Sequence, residues 1–330
     1  MKFLSQIIKI LVFFFPYRVV SFCSKAFKKI SFTLWQHNKS KKFKSKILID
    51  NKSFILNLKP DDHQAHDVYA TLHNKNKIVY ELPLVSILLN ILRDSQFTNF
   101  LDLGSFMGYY PCLVSKLIDK NKLRIISIES NLNYFKYIKK NILDNRLINV
   151  EAFHEILSDG VEDYYADKEK VYKDNHNNRL IKKKSITLDV LCDKNEINAE
   201  VVKIDVHGFE GKVFNGFKKT LKEKVKIILL ELHSEQYLKQ FSSSSKIKIF
   251  SLLSSLDFNC YIVPFNHSLK LYHTGENFKL SEYKNVYCKI TQENFKELFF
   301  DKMNEDNLII AIKKDIDINK FSSLHQISSL

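Results

Sequence analysis

Between residues 81 and 314 the chain repeats one pattern: a short apolar run of strand character, then a stretch with helical spacing. The runs fall at 100–103, 124–128, 150–157, 201–206, 226–232, 259–263 and 308–312. Strands covered on both faces read as continuous apolar runs, and parallel pairing needs a long crossover, usually a helix, between them. The pattern therefore predicts an α/β fold built on a doubly wound, mostly parallel sheet. With 330 residues, 45% of them hydrophobic, such a chain buries a core without staples. Its five cysteines, Cys23, Cys112, Cys192, Cys260 and Cys288, are scattered and show no C-x-x-C spacing, so a reducing compartment fits. Internal repeats are absent from the sequence.

Only seven glycines occur, and two of them stand in Leu101-Asp102-Leu103-Gly104-Ser105-Phe106-Met107-Gly108, between an apolar run and the helix-like segment 110–118. A strand, a tight glycine turn and a helix start make a nucleotide-binding corner, because free backbone N–H groups face the ligand there. A dinucleotide fingerprint would read G-x-G-x-x-G; here a single glycine pair four apart follows an acid, Asp102. An acid at that point repels pyrophosphate and suits an ammonium group. The next apolar run ends at Glu129, where such folds place a carboxylate that grips ribose hydroxyls. Ammonium plus ribose, with no phosphate, describes S-adenosylmethionine.

Four blocks, in order, resemble the FkbM family of S-adenosylmethionine-dependent methyltransferases: F-L-D-L-G-S-F-M-G-Y-Y at 100–110, I-L-S-D at 156–159, T-L-D-V-L at 187–191 and V-K-I-D-V-H-G-F-E at 202–210. A fifth, L-L-E-L-H at 229–233, follows, and Tyr80-Glu81 resembles the family's pattern upstream of the glycine turn. The resemblance covers roughly residues 80 to 235. It implies a class I methyltransferase domain, Rossmann-like, with a seven-stranded sheet whose last strand, 308–312, runs antiparallel. It also implies a cofactor site made of Glu81, Asp102, Gly104, Ser105, Gly108, Glu129, Ser130, Asn131, Ser158, Asp159 and Asp205. In three places the chain departs from the family. Ser105-Phe106 stands where Ala-Asn is usual, Ser130-Asn131 where Pro follows the acid, and His207 where Glu is usual.

The resemblance further implies methylation of oxygen, often on glycan hydroxyls or small secondary metabolites. His207 and Asp205 are the candidate catalytic residues. An imidazole has the intrinsic pKa of a base working near neutrality; the other reading of His207 is a turn residue replacing the family's Glu as a hydrogen-bonding group. Asp205 closes the pocket near the methionine moiety. Glu231 and His233 either orient an acceptor or cap the next helix, which Ser234 could cap itself. No metal site is read from the sequence: His63 and His66 have no cysteine or carboxylate cluster around them.

Charge separates the ends from the body. Residues 1–50 hold 11 Lys or Arg against one acid, Asp50, whereas the rest carries 40 against 36. The body thus offers no phosphate-tracking face, and no Pro-Pro dipeptide follows the strand ending at Val206, so a nucleic-acid acceptor is disfavoured. Residues 1–46 interleave apolar and basic side chains, and their longest apolar run, 10–15, is far short of the ~20 residues a membrane-spanning helix requires. The arm reads either as a segment lying on an anionic membrane surface or as a helix packed on protein. The division is then 1–46 basic apolar arm, 47–79 hairpin and linker, 80–314 methyltransferase domain and 315–330 Ser-rich tail. The location is cytoplasmic, or peripheral at the inner face of the membrane, where a lipid-linked glycan acceptor would be assembled. The other class of function compatible with the His207 and Ser105-Phe106 departures is a catalytically silent cofactor-binding module that recruits partners at a membrane.

Overall fold

The computed structural model describes residues 44–49, 52–59, 62, 65, 68, 80–94, 96–118, 123–166, 171–172, 181–263, 285–295, 306–321 and 324–326. Residues 1–43 of the arm read as 1–46, together with His63 and His66, lie outside the described residues, and the arm's last three residues, 44–46, begin the first strand. Two antiparallel strands, β1 (Lys44–Ile49) and β2 (Lys52–Asn57), form a hairpin across the Asp50-Asn51 position. Helix α1 (Leu82–Asp94) leads to β3 (Asn99–Leu103), and α2 (Tyr109–Leu117) leads to β4 (Arg124–Glu129). Next come α3 (Leu132–Asn145) and β5 (Val150–His154).

A separate three-stranded antiparallel sheet follows, β6 (Asp163–Ala166), β7 (Val171–Tyr172) and β8 (Ile181–Lys184), in the order β7-β6-β8. Then follow α4 (Leu188–Lys194), β9 (Val201–Ile204), the short α5 (Glu210–Asn215) and α6 (Lys218–Glu223), and β10 (Ile227–Leu232). Helices α7 (Glu235–Ser242) and α8 (Lys246–Ser255) precede β11 (Phe258–Val263), β12 (Asn285–Lys289), β13 (Asn307–Lys313) and β14 (Leu324–Gln326).

The main sheet has the order β14-β12-β11-β13-β10-β9-β3-β4-β5. All seven apolar runs lie in it as strands, and β13, the last of the seven, is antiparallel to both neighbours. The sheet has nine strands where seven were expected, because β12 and β14 extend it beyond β11. Neither stood out in sequence: Asn285–Lys289 has five residues and Leu324–Gln326 three, too few for a periodicity to show.

Side chains alternate across the sheet, as a two-residue period demands. Phe100, Val201, Ile227 and Leu229 face one core with α1, α2 and the hairpin; Leu101, Leu103, Val202, Ile204, Ile228 and Leu230 face the other with α4 to α8. Cys112, Cys192, Cys260 and Cys288 are free and buried, and burial pushes the first three thiols up to about 12, so they pack rather than react. The hairpin is bound to α3 by asparagines. Asn145 accepts from the Ile55 N–H at 2.6 Å and donates to its carbonyl at 2.6 Å, while Asn141 accepts from the Asn57 N–H at 2.7 Å. These amides occupy backbone groups that would otherwise form an open sheet edge. Among the described residues no helix is long and apolar enough to cross a membrane.

Candidate functional site

Strand order reverses between β3 and β9, and ligands in open α/β sheets bind beyond the strand C-termini at such a switch point. The candidate residues gather there. Asp102 sits near the end of β3, fully buried, with Lys203 as its register partner on β9. Lys203 Nζ stands 3.3 Å from Asp102 Oδ1 and 3.5 Å from Asp205 Oδ2, and 4.9 Å from the centre of the Tyr110 ring. Burial raises the Asp102 carboxyl despite the lysine, and neither of its oxygens has an aligned hydrogen bond. Burial would raise Asp205 too, but Lys203, His207 and His233 outweigh it and hold that carboxyl at about 2.

The turn after β3 is decided by backbone clearance. A Cβ at Gly104 would meet the Asp205 carbonyl oxygen at 1.8 Å, and its φ of +78° is one that other residues rarely adopt. Close approach here is first of all the approach of β3's exit to β9's exit. Gly108, with φ +79°, caps the start of α2. Ser105 turns its hydroxyl back onto the Asp102 carbonyl at 2.8 Å.

Glu129 ends β4 with its carboxylate tied to both flanking turns. Oε2 accepts from the Phe106 N–H and Oε1 from the Asn131 N–H, both at 2.8 Å. Burial nevertheless pushes the carboxyl up to about 7. Asn131 also N-caps α3, its side chain accepting from Asn133 and Tyr134 N–H groups, while the Ser130 carbonyl is bonded to His154 Nε2. Ser158 and Asp159 belong to a neighbouring cluster: the Ser158 hydroxyl reaches Asp159 Oδ1 and Tyr164 OH at 3.1 Å, and Lys212 lies 3.5 Å from Asp159.

Glu81, with φ +51° and buried, accepts from Tyr110 OH at 2.6 Å. Phe106 and His207 share that left-handed geometry at φ +52° and +51°. Three non-glycine residues held this way around one cleft are the kind of stored backbone strain found at functional sites. Asp102 and Asp205 flank the buried Lys203 ammonium, and Glu81 and Glu231 add to the negative potential it feels. Glu231 is raised well above the usual carboxylate range, by burial and then by Asp205. A site with this excess of acid suits a cationic ligand, and the backbone-held Glu129 suits a vicinal diol.

The parallel register of β9 and β10, with Ile204 opposite Leu230, carries the following residues out side by side. His207, 60% exposed at its side chain, lies with Nδ1 3.5 Å from Asp205 Oδ1. His233 is buried; its Nδ1 is bonded to Glu210 Oε1 at 2.6 Å, its Nε2 is 3.9 Å from Asp205 Oδ1, and its ring centre is 4.9 Å from that of His207. Burial opposes protonation of His233, but Glu210, Asp205 and Glu231 overcome it and raise the imidazole to about 9. Ser234, not His233, caps α7.

Sequence reasoning gave no role to Lys203 or Glu210. The apolar neighbours of Lys203 within β9 were the available signal, since a lysine inside a doubly covered strand must be paired.

Residues 102–260 match the family described as the methyltransferase FkbM domain. A curated relative, a DNA primase of Borreliella burgdorferi, is 29% identical over a match covering 32% of this chain and 25% of its own length. The chain thus spans about a quarter of that relative. Among solved structures, the methyltransferase FkbM from Methylobacillus flagellatus KT is 13% identical with a TM-score of 0.41, over 76% of this chain and 55% of that one. An O-methyltransferase from Bacillus cereus in complex with SAH is 13% identical with a TM-score of 0.38, over 71% and 80%.

Proposed function

We propose that the chain, whose residues 102–260 match the methyltransferase FkbM domain, transfers a methyl group from S-adenosylmethionine to a hydroxyl of a glycan or lipid-linked glycan. The family match carries the reaction class. The cofactor is supported by the site itself: an acid-lined cleft with Glu129 at the second strand end.

Glu129 would hold the ribose hydroxyls, and the buried carboxylate of Asp102 with Glu81 would face the cationic methionine end. S-adenosylmethionine supplies a methyl group already activated on sulfur. What remains for the protein is alignment of the acceptor, exclusion of water and loss of one proton from the hydroxyl. Asp205 and His207 stand at the open end of the cleft, where an acceptor enters. Asp205, held at about 2, is a weak proton acceptor and a strong fixed charge. Tyr237, 46% exposed and 6.2 Å from the His233 ring, offers an aromatic plane on which the apolar face of a sugar can stack. The basic arm at 1–46 would keep the enzyme at an anionic membrane surface.

Two measurements test this reading. S-adenosylmethionine and NAD are titrated separately into the purified protein; tight binding of NAD alone would replace methyl transfer with oxidoreduction. Labelled S-adenosylmethionine is then incubated with membrane and soluble extracts, and label in a membrane-borne glycan is the expected product. Cofactor binding without transfer to any acceptor would favour a silent recruiting module.

A further inference from the structure

We propose that Asp205, His207 and His233 bind a divalent transition-metal ion of the zinc or cobalt kind at the acceptor end of the cleft. Their donor atoms lie within 4.8 Å of one another, with the two imidazole nitrogens 3.5 and 3.9 Å from Asp205 Oδ1. Donors held at about 2.1 Å from one ion stand roughly 3.0 to 3.5 Å apart, so small side-chain shifts close the site. Two imidazoles and one carboxylate select a borderline ion over calcium or magnesium, which take oxygen donors.

Independent features point to the same place. Asp205 Oδ1 is buried and has no hydrogen-bond partner, although the other oxygen faces Lys203 at 3.5 Å. Its nearest polar neighbours are the two imidazole nitrogens at 3.5 and 3.9 Å, too long for hydrogen bonds, so three donor groups converge on a common point without bonding one another. The His233 ring is held by buried Glu210 at Nδ1, which turns Nε2 toward Asp205, and an ion bound there displaces the Nε2 proton to solvent. A carboxylate behind the ligating histidine is how metal centres fix the ring and raise its basicity. Glu231 and Asp306 form a second group around the same imidazole, but Asp306 already accepts from the Ser234 N–H at 2.9 Å. The set with Asp205 Oδ1, which makes no hydrogen bond, is therefore the better site. His207 completes it from the solvent side, and a ring nitrogen there makes chemical sense of the departure from glutamate.

Three protein donors and open positions make a catalytic rather than a structural site. Resting on the methyl-transfer reading, an open position takes the acceptor hydroxyl, whose acidity rises next to the ion. The proton leaves to solvent water, the oxygen forms its bond to the methyl carbon, and the carbon–sulfur bond breaks with its electron pair passing to sulfur. The products are a methyl ether and a neutral thioether.

The full chain, stripped with chelator and dialysed, is titrated with Zn2+ by calorimetry and with Co2+ by visible absorption. One ion per chain is expected, with Co2+ bands of four- or five-coordination. His207→Ala, an exposed position that leaves the His233–Glu210 pair intact, should weaken Co2+ binding at least tenfold; His207→Glu should restore most of it with shifted bands. Absence of stoichiometric uptake, or uptake unchanged in His207→Ala, overturns the site. Full turnover in the chelated enzyme overturns its role. S-adenosylmethionine binding on the same samples separates the two readings: cofactor binding without metal uptake removes the ion alone, and metal uptake without cofactor binding removes methyl transfer while the ion site stands.

Discussion

Asp102 and Lys203 are register partners on adjacent parallel strands, and their side chains meet at 3.3 Å beneath the cleft with almost no exposure to water. A buried ion pair contributes little over an apolar pair, yet removing one member leaves the other charge unpaired in a medium that solvates it poorly. Lys203 is the common counter-charge of Asp102 and Asp205, so its loss is felt twice.

Lys203→Met should therefore destabilise the protein by about 3 to 5 kcal/mol in urea unfolding. Adding Asp102→Asn should recover a large part of that loss, because it removes one of the stranded charges. A single-variant cost under about 1 kcal/mol would mean that the carboxylates are neutralised by protonation instead.

Gly104 and Gly108 share a left-handed backbone but differ in clearance. At Gly108 an added Cβ meets only Ile138 at 3.4 Å, so Gly108→Ala should cost the backbone strain alone, about 1 to 2 kcal/mol. Gly104→Ala adds overlap with the Asp205 carbonyl and should cost at least about 1 kcal/mol more. Equal melting temperatures for the two variants would contradict the packing of the two strand exits.

Glu129 carries the pH dependence of the cofactor site. Its carboxyl is raised by burial from 4.5 to about 7, so the folded apoprotein holds a proton that the unfolded chain releases. Apoprotein stability should thus fall as pH rises from about 4.5 to about 7, and Glu129→Gln should flatten that slope. Ribose hydroxyls donate to the ionised form, so S-adenosylmethionine affinity should increase through pH 7 and level off above it. Glu129→Ala should weaken binding by about 1.5 to 3 kcal/mol, the scale of charge-assisted hydrogen bonds, as read by calorimetry.

Asn141 joins the hairpin to the main domain, accepting from the Asn57 N–H and donating to the Met107 carbonyl at 2.8 Å. Asn141→Ala leaves both groups buried without that partner and should cost about 1 to 3 kcal/mol. Hydrogen exchange should show the Asn57 amide losing protection while amides of β9 and β10 keep theirs. Loss of protection throughout would mean that the hairpin and the sheet unfold as one unit.

The sequence by itself determined the seven strands, their α/β alternation, the glycine turn and Glu129, because each is written in local signals. Apolar runs mark doubly covered strands, and a glycine after a strand marks a backbone that must turn sharply. The family blocks extended this to a methyltransferase domain. Tertiary structure decided what stands opposite what. Asp102 meets Lys203, and His207 meets His233, only because β9 pairs in parallel with both β3 and β10 at a fixed register. A shift of one residue in β9 would turn Lys203 to the other face, away from Asp102. Glu210 reaches His233 across 23 positions of chain, and the edge strand β14 pairs with β12 across a longer gap, Leu324 opposite Asn285. Such contacts leave no periodic trace, since the free energy that selects them comes from packing and charge compensation between distant segments.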